Sequence, residues 1–162
     1  DAIHASPPCQ AYSMGSRMRT GKPKEHPKLI EPMRDHLLCQ RVPWVIENVE
    51  GAPLIYPVRL CGSTFGLGVR RHRLFESSEW LMALPCAHYD QPQVVGVYGD
   101  HAEHALIRRG HPARRASSIE DARSAMGIDW MMRWDELREA IPPAYTEFIG
   151  KQLLKALRGA EL

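Results

Sequence analysis

Asp1-Ala2-Ile3-His4-Ala5-Ser6-Pro7-Pro8-Cys9-Gln10 opens the chain, and Pro43-Trp44-Val45-Ile46-Glu47-Asn48-Val49 follows one helix-like segment later. The first stretch is a short, partly alternating apolar run closed by two prolines, the pattern of a strand that ends in a loop. The second is a compact apolar burst whose length suits a buried strand rather than a helix. Between them Ile30, Met33 and Leu37 recur at three- and four-residue steps. That spacing predicts a helix over residues 29–41, with Pro32 tolerable only in its first turn. Strand, helix and strand in that order predict an α/β domain with a mainly parallel sheet.

Outward from this unit the signals alternate between loops and short elements. Residues 10–28 carry Arg17, Arg19, Lys22, Lys24 and Lys28 among glycines and prolines, and predict a cationic loop. Residues 58–61 and 72–75 are strand candidates separated by a turn at Gly62, Gly66 and Gly68. Residues 93–98 (QVVGVY) are the strongest β signal of the second half, and 99–116 read as a His- and Arg-rich loop. Ser117-Ser118-Ile119-Glu120 has a capping-box pattern opening a helix that stops at Gly127. Trp134, Leu137 and Ile141 predict a short helix before Pro142-Pro143. Tyr145, Ile149, Leu153 and Leu157 form the stripe of a last helix ending at Gly159. Trp130, Met131, Met132 and Trp134 share helical spacing and are expected in the core.

Composition bounds the function. The 162 residues are 44% hydrophobic and 25% charged, enough for a packed core and too apolar for a disordered chain. The net charge of +2 shows no global excess of the kind nucleic-acid binding leaves, so any such contact must be a local patch. The apolar runs are a few residues long, against the ~20 a membrane helix needs, and no leader pattern precedes the first strand. Cysteines stand at 9, 39, 61 and 86 without a C-x-x-C pair, which fits a reducing compartment better than a disulfide framework. Cys86-x-His88 followed by His101-x-x-His104 has zinc-ligand residue types but no established finger spacing. The expectation is therefore no metal, the histidines being polar groups on a hairpin.

Three features have the makings of a site. Cys9 is thrown up by rigid prolines at the carboxyl end of a predicted strand, the edge where open α/β sheets bind ligands. A thiol of pKa ~8.5 is only a few per cent thiolate at neutral pH, so a nucleophilic role needs positive neighbours or N–H donors. Glu47, with Asn48 and Val49, ends the second strand and could hydrogen-bond or protonate a substrate nitrogen. In Arg70-Arg71-His72-Arg73-Leu74-Phe75, two-residue alternation sends Arg71 and Arg73 to one face, a pair suited to an anion or a carbonyl-rich base. Each feature alone also has an ordinary reading as a buried thiol, a solvated strand end or a solvated strand face.

Taken in order, these motifs resemble those of the DNA (cytosine-5) methyltransferases, especially short phage or bacterial members. Pro7-Pro8-Cys9-Gln10-Ala11-Tyr12-Ser13 is similar to their nucleophile loop and Glu47-Asn48-Val49 to their Glu-Asn-Val motif. Arg71-His72-Arg73 is similar to their Arg-x-Arg motif. Glu120-Asp121-Ala122-Arg123 with Gly127 resembles the penultimate motif, and Ile141-Pro142-Pro143 the end of the last. The resemblance implies an α/β, Rossmann-like S-adenosylmethionine-dependent methyltransferase fold. In the family the glycine-rich cofactor loop and an acidic ribose-binding residue lie upstream of the nucleophile motif. Gly62-x-x-x-Gly66-x-Gly68 has the wrong spacing to replace them. The chain is therefore read as a partial fold lacking the N-terminal cofactor-binding strands. Residues 1–76 would be the catalytic half, 77–116 a small target-recognition insert, and 117–162 helices returning to the catalytic domain.

By the same resemblance, Cys9 adds as a thiolate to carbon 6 of cytosine and makes carbon 5 nucleophilic. Glu47 holds ring nitrogen 3 and the exocyclic amine, and Asn48 orients the loop. Arg73 meets the carbonyl oxygen of the base, and Arg71 positions the nucleophile loop. Pro8 lies at the rim of the S-adenosylmethionine site. The partner is double-stranded DNA from which the base is flipped out, at a cost of a few kcal/mol. Gln10, Ser13, Arg17, Arg19, Arg108 and Arg109 are the expected DNA contacts, with Arg114 and Arg115 continuing the basic stretch. A missing N-terminal segment or a complementary chain would complete the cofactor site. The setting would be restriction-modification or phage protection, in the cytoplasm of a bacterial or phage-infected cell. Two alternatives differ in class. One is a catalytically silent DNA-binding remnant. The other is a nucleotide-level pyrimidine methylase of thymidylate-synthase type, whose cysteine motif would lie nearer Pro85-Cys86-x-His88.

Overall fold

A computed structural model describes residues 1–13, 25–91, 93–99 and 113–159. The expected loop at 14–24 and most of that at 99–116 lie outside these residues. By packing, the described chain falls into two units that cut across the boundaries drawn from sequence at 76/77 and 116/117. Residues 1–60, 72–83 and 150–162 make up the first, and residues 61–71 and 84–149 the second.

In the first unit, β1 (Ile3–Ala5) is followed by helix α1 (Ile30–Leu38), β2 (Trp44–Asn48), β3 (Val58–Leu60) and β4 (Arg73–Ser77). The strands form one sheet in the order β1-β2-β4-β3. β1 and β2 are parallel, with Ile3 opposite Trp44 and Ala5 opposite Ile46. β4 is antiparallel to both β2 and β3, so the sheet is mixed rather than mainly parallel. A parallel return needs a crossover of a dozen or more residues, and residues 6–43 supply one between β1 and β2.

Pro32 is the third residue of α1, inside the first turn as its chemistry requires. The helix buries Ile30, Arg34 and Leu37. Leu37 packs with Trp44 and Ile46, flanked by Ile3, Ala5, Met33 and Leu54. Every residue of β2 is buried, as a central strand between two neighbours demands. Arg34 is buried because Glu76 on β4 meets it: Nε and Nη2 donate to the two carboxylate oxygens at 2.6 and 2.8 Å. Arg34 also donates to the Pro53 carbonyl at 2.7 Å, and Ile55 N–H donates to Glu76 at 2.8 Å. No sequence signal pointed to this pair.

In the second unit, β5 (Val94–Gly96) pairs in parallel with β6 (Ala113–Arg115), a strand where sequence predicts only loop. Helix α2 (Ile119–Met126) has Ser118 as its N-cap, the side-chain oxygen accepting from Asp121 N–H at 3.0 Å. It stops at Gly127, whose φ of 65° is the left-handed conformation glycine adopts freely. α3 (Trp134–Glu139) follows, and α4 (Pro143–Gly159) begins in this unit on proline at its first position, its residues from 150 onward belonging to the first unit. Tyr145, Ile149 and Leu153 of α4 are buried, as the stripe requires. The unit's core gathers Val69, Val95, Val97, Ala122, Met126, Trp134 and Leu137. Trp130 and Met132 are corrections: at 61% and 67% exposure they are outside the core, because residues 128–133 are not helical and their spacing has no face to form.

Arg114 of β6 grips Asp121 with both arms of its guanidinium. That ion pair, aided by the N–H and hydroxyl of Ser117, holds the Asp121 carboxyl well below its ordinary 3.8. A carboxyl lowered in the folded state contributes stability above its unfolded pKa and loses it as pH falls through the folded value. The melting temperature is therefore expected to drop below about pH 4, and to drop less steeply in Asp121→Asn. Thermal melts across the acid range check this, and equal slopes in the two proteins would count against it.

Candidate active site

The parallel register of β1 and β2 carries both strands to the same end. Residues just beyond Ala5 therefore meet the last residues of β2. Ser6 Oγ donates to Glu47 Oε2 at 2.9 Å, and Asn48 Nδ2 donates to the Pro7 carbonyl at 2.8 Å. Asn48 Oδ1 accepts from Val49 N–H at 3.0 Å, which fixes the amide's orientation. Asn48 thus fastens the loop that leads to Cys9 onto the end of the central strand. From the other side, β4 brings Arg73, whose Nε lies 3.1 Å from Glu47 Oε1. The Glu47 side chain is 6% exposed and that of Arg73 16%, so the charges are paired out of bulk water.

Cys9 is half-buried. Its carbonyl accepts from Tyr12 N–H and Ser13 N–H, both at 2.9 Å, which curls the chain into a tight turn directly after Pro8. Tyr12 is buried, and its hydroxyl has no hydrogen-bond partner among the described residues. Gly51, at φ 96°, turns the chain after β2 close against the Tyr12 carbonyl, where an added Cβ would stand 3.4 Å away. The fold therefore gathers Ser6, Pro7, Glu47, Asn48 and Arg73 in one unit and hangs Cys9 from the same edge. Ser6 had no assigned role in the sequence. Its place before the two prolines was visible, but its bond to a residue 41 positions on was not.

Arg71 behaves differently. The expectation that Arg71 and Arg73 share a strand face is corrected, because β4 begins only at Arg73 and Arg71 has a φ of 34°. That kink breaks the two-residue alternation. The Arg71 guanidinium donates to the carbonyls of Val97, at 2.9 Å, and Arg138, both in the second unit. Tyr145, fully buried, donates its hydroxyl to the carbonyls of Arg70 and Arg71 at 3.1 and 3.0 Å, pinning this kink. Sequence showed Tyr145 only as one member of a helical stripe.

Of the expected DNA contacts, Gln10 is exposed and Ser13 half-buried. Arg17, Arg19, Arg108 and Arg109 lie outside the described residues. Arg114 is engaged by Asp121, and the Arg115 guanidinium stands 5.3 Å from the Tyr98 ring centre. Pro8 is exposed. A Cβ on Gly62 would come 2.1 Å from the Val69 carbonyl oxygen, and one on Gly68 3.0 Å from Ala125. The protein's own atoms occupy those two spaces, so Gly62 and Gly68 serve close packing rather than a ligand cradle. Among the described residues no helix is long and apolar enough to cross a membrane. No protein-family model and no curated protein matches the chain.

Proposed function

We propose that the chain carries the base-activating half of a DNA cytosine-5 methyltransferase. That reaction moves a methyl group from S-adenosylmethionine to carbon 5 of a flipped-out cytosine, through a covalent Cys9 adduct at carbon 6. The observation that supports this reading is the Ser6–Glu47–Arg73 chain of polar contacts. It sits at the strand end to which Asn48 ties the loop leading to Cys9. S-adenosylmethionine would supply the methyl group in such chemistry.

Ser6 and Arg73 orient the Glu47 carboxylate from two sides. A cytosine protonated at nitrogen 3 presents two parallel N–H donors, at that nitrogen and at the exocyclic amine, to such a group. Protonation there draws electrons from carbon 6. The Cys9 thiolate then forms the S–C6 bond, and the C5=C6 electron pair shifts to make carbon 5 an enamine carbon. That carbon takes a solvent proton. Loss of the original C5 hydrogen and expulsion of Cys9 restore the ring.

This half-reaction predicts hydrogen exchange at carbon 5 without any methyl donor. The full chain is incubated with mixed-sequence duplex DNA tritiated at cytosine C5, and release of tritium into water is followed. Release from duplex but not from deoxycytidine monophosphate is expected. Release from the nucleotide instead would point to the thymidylate-synthase type of enzyme. Salt-sensitive DNA binding with no release would point to a silent DNA-binding remnant.

A further inference from the structure

A second cluster lies within the second unit, independent of the cytosine chemistry. Sequence spacing groups Cys86 and His88 with His101 and His104, which lie outside the described residues. The fold groups them with Cys61 instead. Cys61 follows β3 and is fully buried, while Cys86 and His88 are half-buried. The two sulfurs and an imidazole nitrogen all lie within 4.8 Å of one another, with Cys61 Sγ 3.2 Å from His88 Nε2. The loops that carry them are already fastened together. Thr64 Oγ1 donates to the Pro85 carbonyl at 2.8 Å, and Ala87 N–H donates to Ser63 Oγ at 3.1 Å.

We propose that Cys61, Cys86 and His88 form a structural site for zinc. Zinc bonds of ~2.3 Å to sulfur and ~2.0–2.1 Å to nitrogen make tetrahedron edges of roughly 3.6–3.8 Å, within the 4.8 Å that bounds the separations of these ligand atoms. Two thiolates and an imidazole are a soft to borderline donor set, which selects zinc over magnesium or calcium. The outer contacts suit a thiolate. Ser63 Oγ accepts from Ala87 N–H and lies 3.1 Å from Cys61 Sγ, within reach for its hydroxyl to donate to a thiolate there. The fourth position falls to water, as a tetrahedral ion with three protein ligands allows. Bound there, the ion would cross-link residues 61–65 to residues 85–91, segments that carry no long element of their own.

The test uses the full chain, reduced and stripped with a chelator, titrated anaerobically with Co²⁺ and then Zn²⁺. Uptake of one Co²⁺ is expected, with the intense visible bands of tetrahedral cobalt and a near-ultraviolet thiolate charge-transfer band, both removed by Zn²⁺. Saturating zinc should raise the melting temperature. Cys86→Ser and His88→Ala, at half-buried positions, should weaken binding by more than the ~10–100-fold that loss of an outer contact costs. Cys61→Ser should do the same if it folds, and Cys39→Ser, on the exposed end of α1, should change nothing. Featureless cobalt spectra, bands that survive in Cys86→Ser, or a Cys61–Cys86 disulfide whose reduction yields no metal uptake would overturn the proposal.

Discussion

Cys9→Ala is expected to abolish tritium release from duplex cytosine, lowering the rate by something on the order of 10⁴–10⁶-fold, the scale on which removal of a covalent nucleophile acts. The melting temperature should barely move, because Cys9 is only half-buried and its backbone carbonyl, not its sulfur, closes the turn to Tyr12 and Ser13. Glu47→Gln should act on the same rate by a smaller factor, about 10²–10⁴, the usual worth of a positioned acid or base. It keeps an acceptor for Ser6 but loses the charge that faces Arg73. The ratio of these two losses separates the roles. If Cys9→Ala released tritium at the parent rate, the covalent half of the proposed function would fall, whatever Glu47→Gln did. Cys39 is the internal control, being exposed and away from the sheet edge.

The largest effect on stability is expected at the buried Arg34–Glu76 pair. Glu76→Ala removes both carboxylate partners of Arg34 and the acceptor of Ile55 N–H, and leaves the guanidinium buried with only the Pro53 carbonyl among the bonds described above. Breaking a buried pair from one side costs about 3–5 kcal/mol, because the remaining charge is stranded. Urea unfolding should show the unfolding free energy falling by that amount, read as a lower midpoint with little change in slope. The double variant Arg34→Met with Glu76→Leu should recover most of the loss, since apolar replacement of a whole pair is often neutral. A single-variant cost below about 1 kcal/mol would mean that water reaches the pair. The guanidinium of Arg34 is held above its ordinary pKa chiefly by its bonds to Glu76.

What could be read along the chain was local. The prolines after Ser6, the periodicity of Ile30, Met33 and Leu37, the apolar burst at residues 44–46, the Ser118 cap and the Gly127 stop each depend on neighbours a few residues away. Each became the element it predicted. The cysteine, glutamate and arginine motifs were visible for the same reason, as short strings at strand ends. Their grouping was a separate question. The sequence determined that Cys9 and Glu47 would end strands. The strand–helix–strand order already predicted that β1 and β2 run parallel, and only the tertiary structure decided the register that sets Ser6 against Glu47. It also decided that Arg73 joins them while Arg71, one kink earlier, turns to the carbonyls of Val97 and Arg138. The antiparallel β4, the Arg34–Glu76 pair and the Cys61–Cys86–His88 cluster belong to the same class. The physical reason is shared: periodicity and capping are set by bonds within a turn or two of chain. Pairings between distant residues are set by which buried charges, thiols and backbone groups must find partners once the strands have packed, and no local pattern encodes that choice.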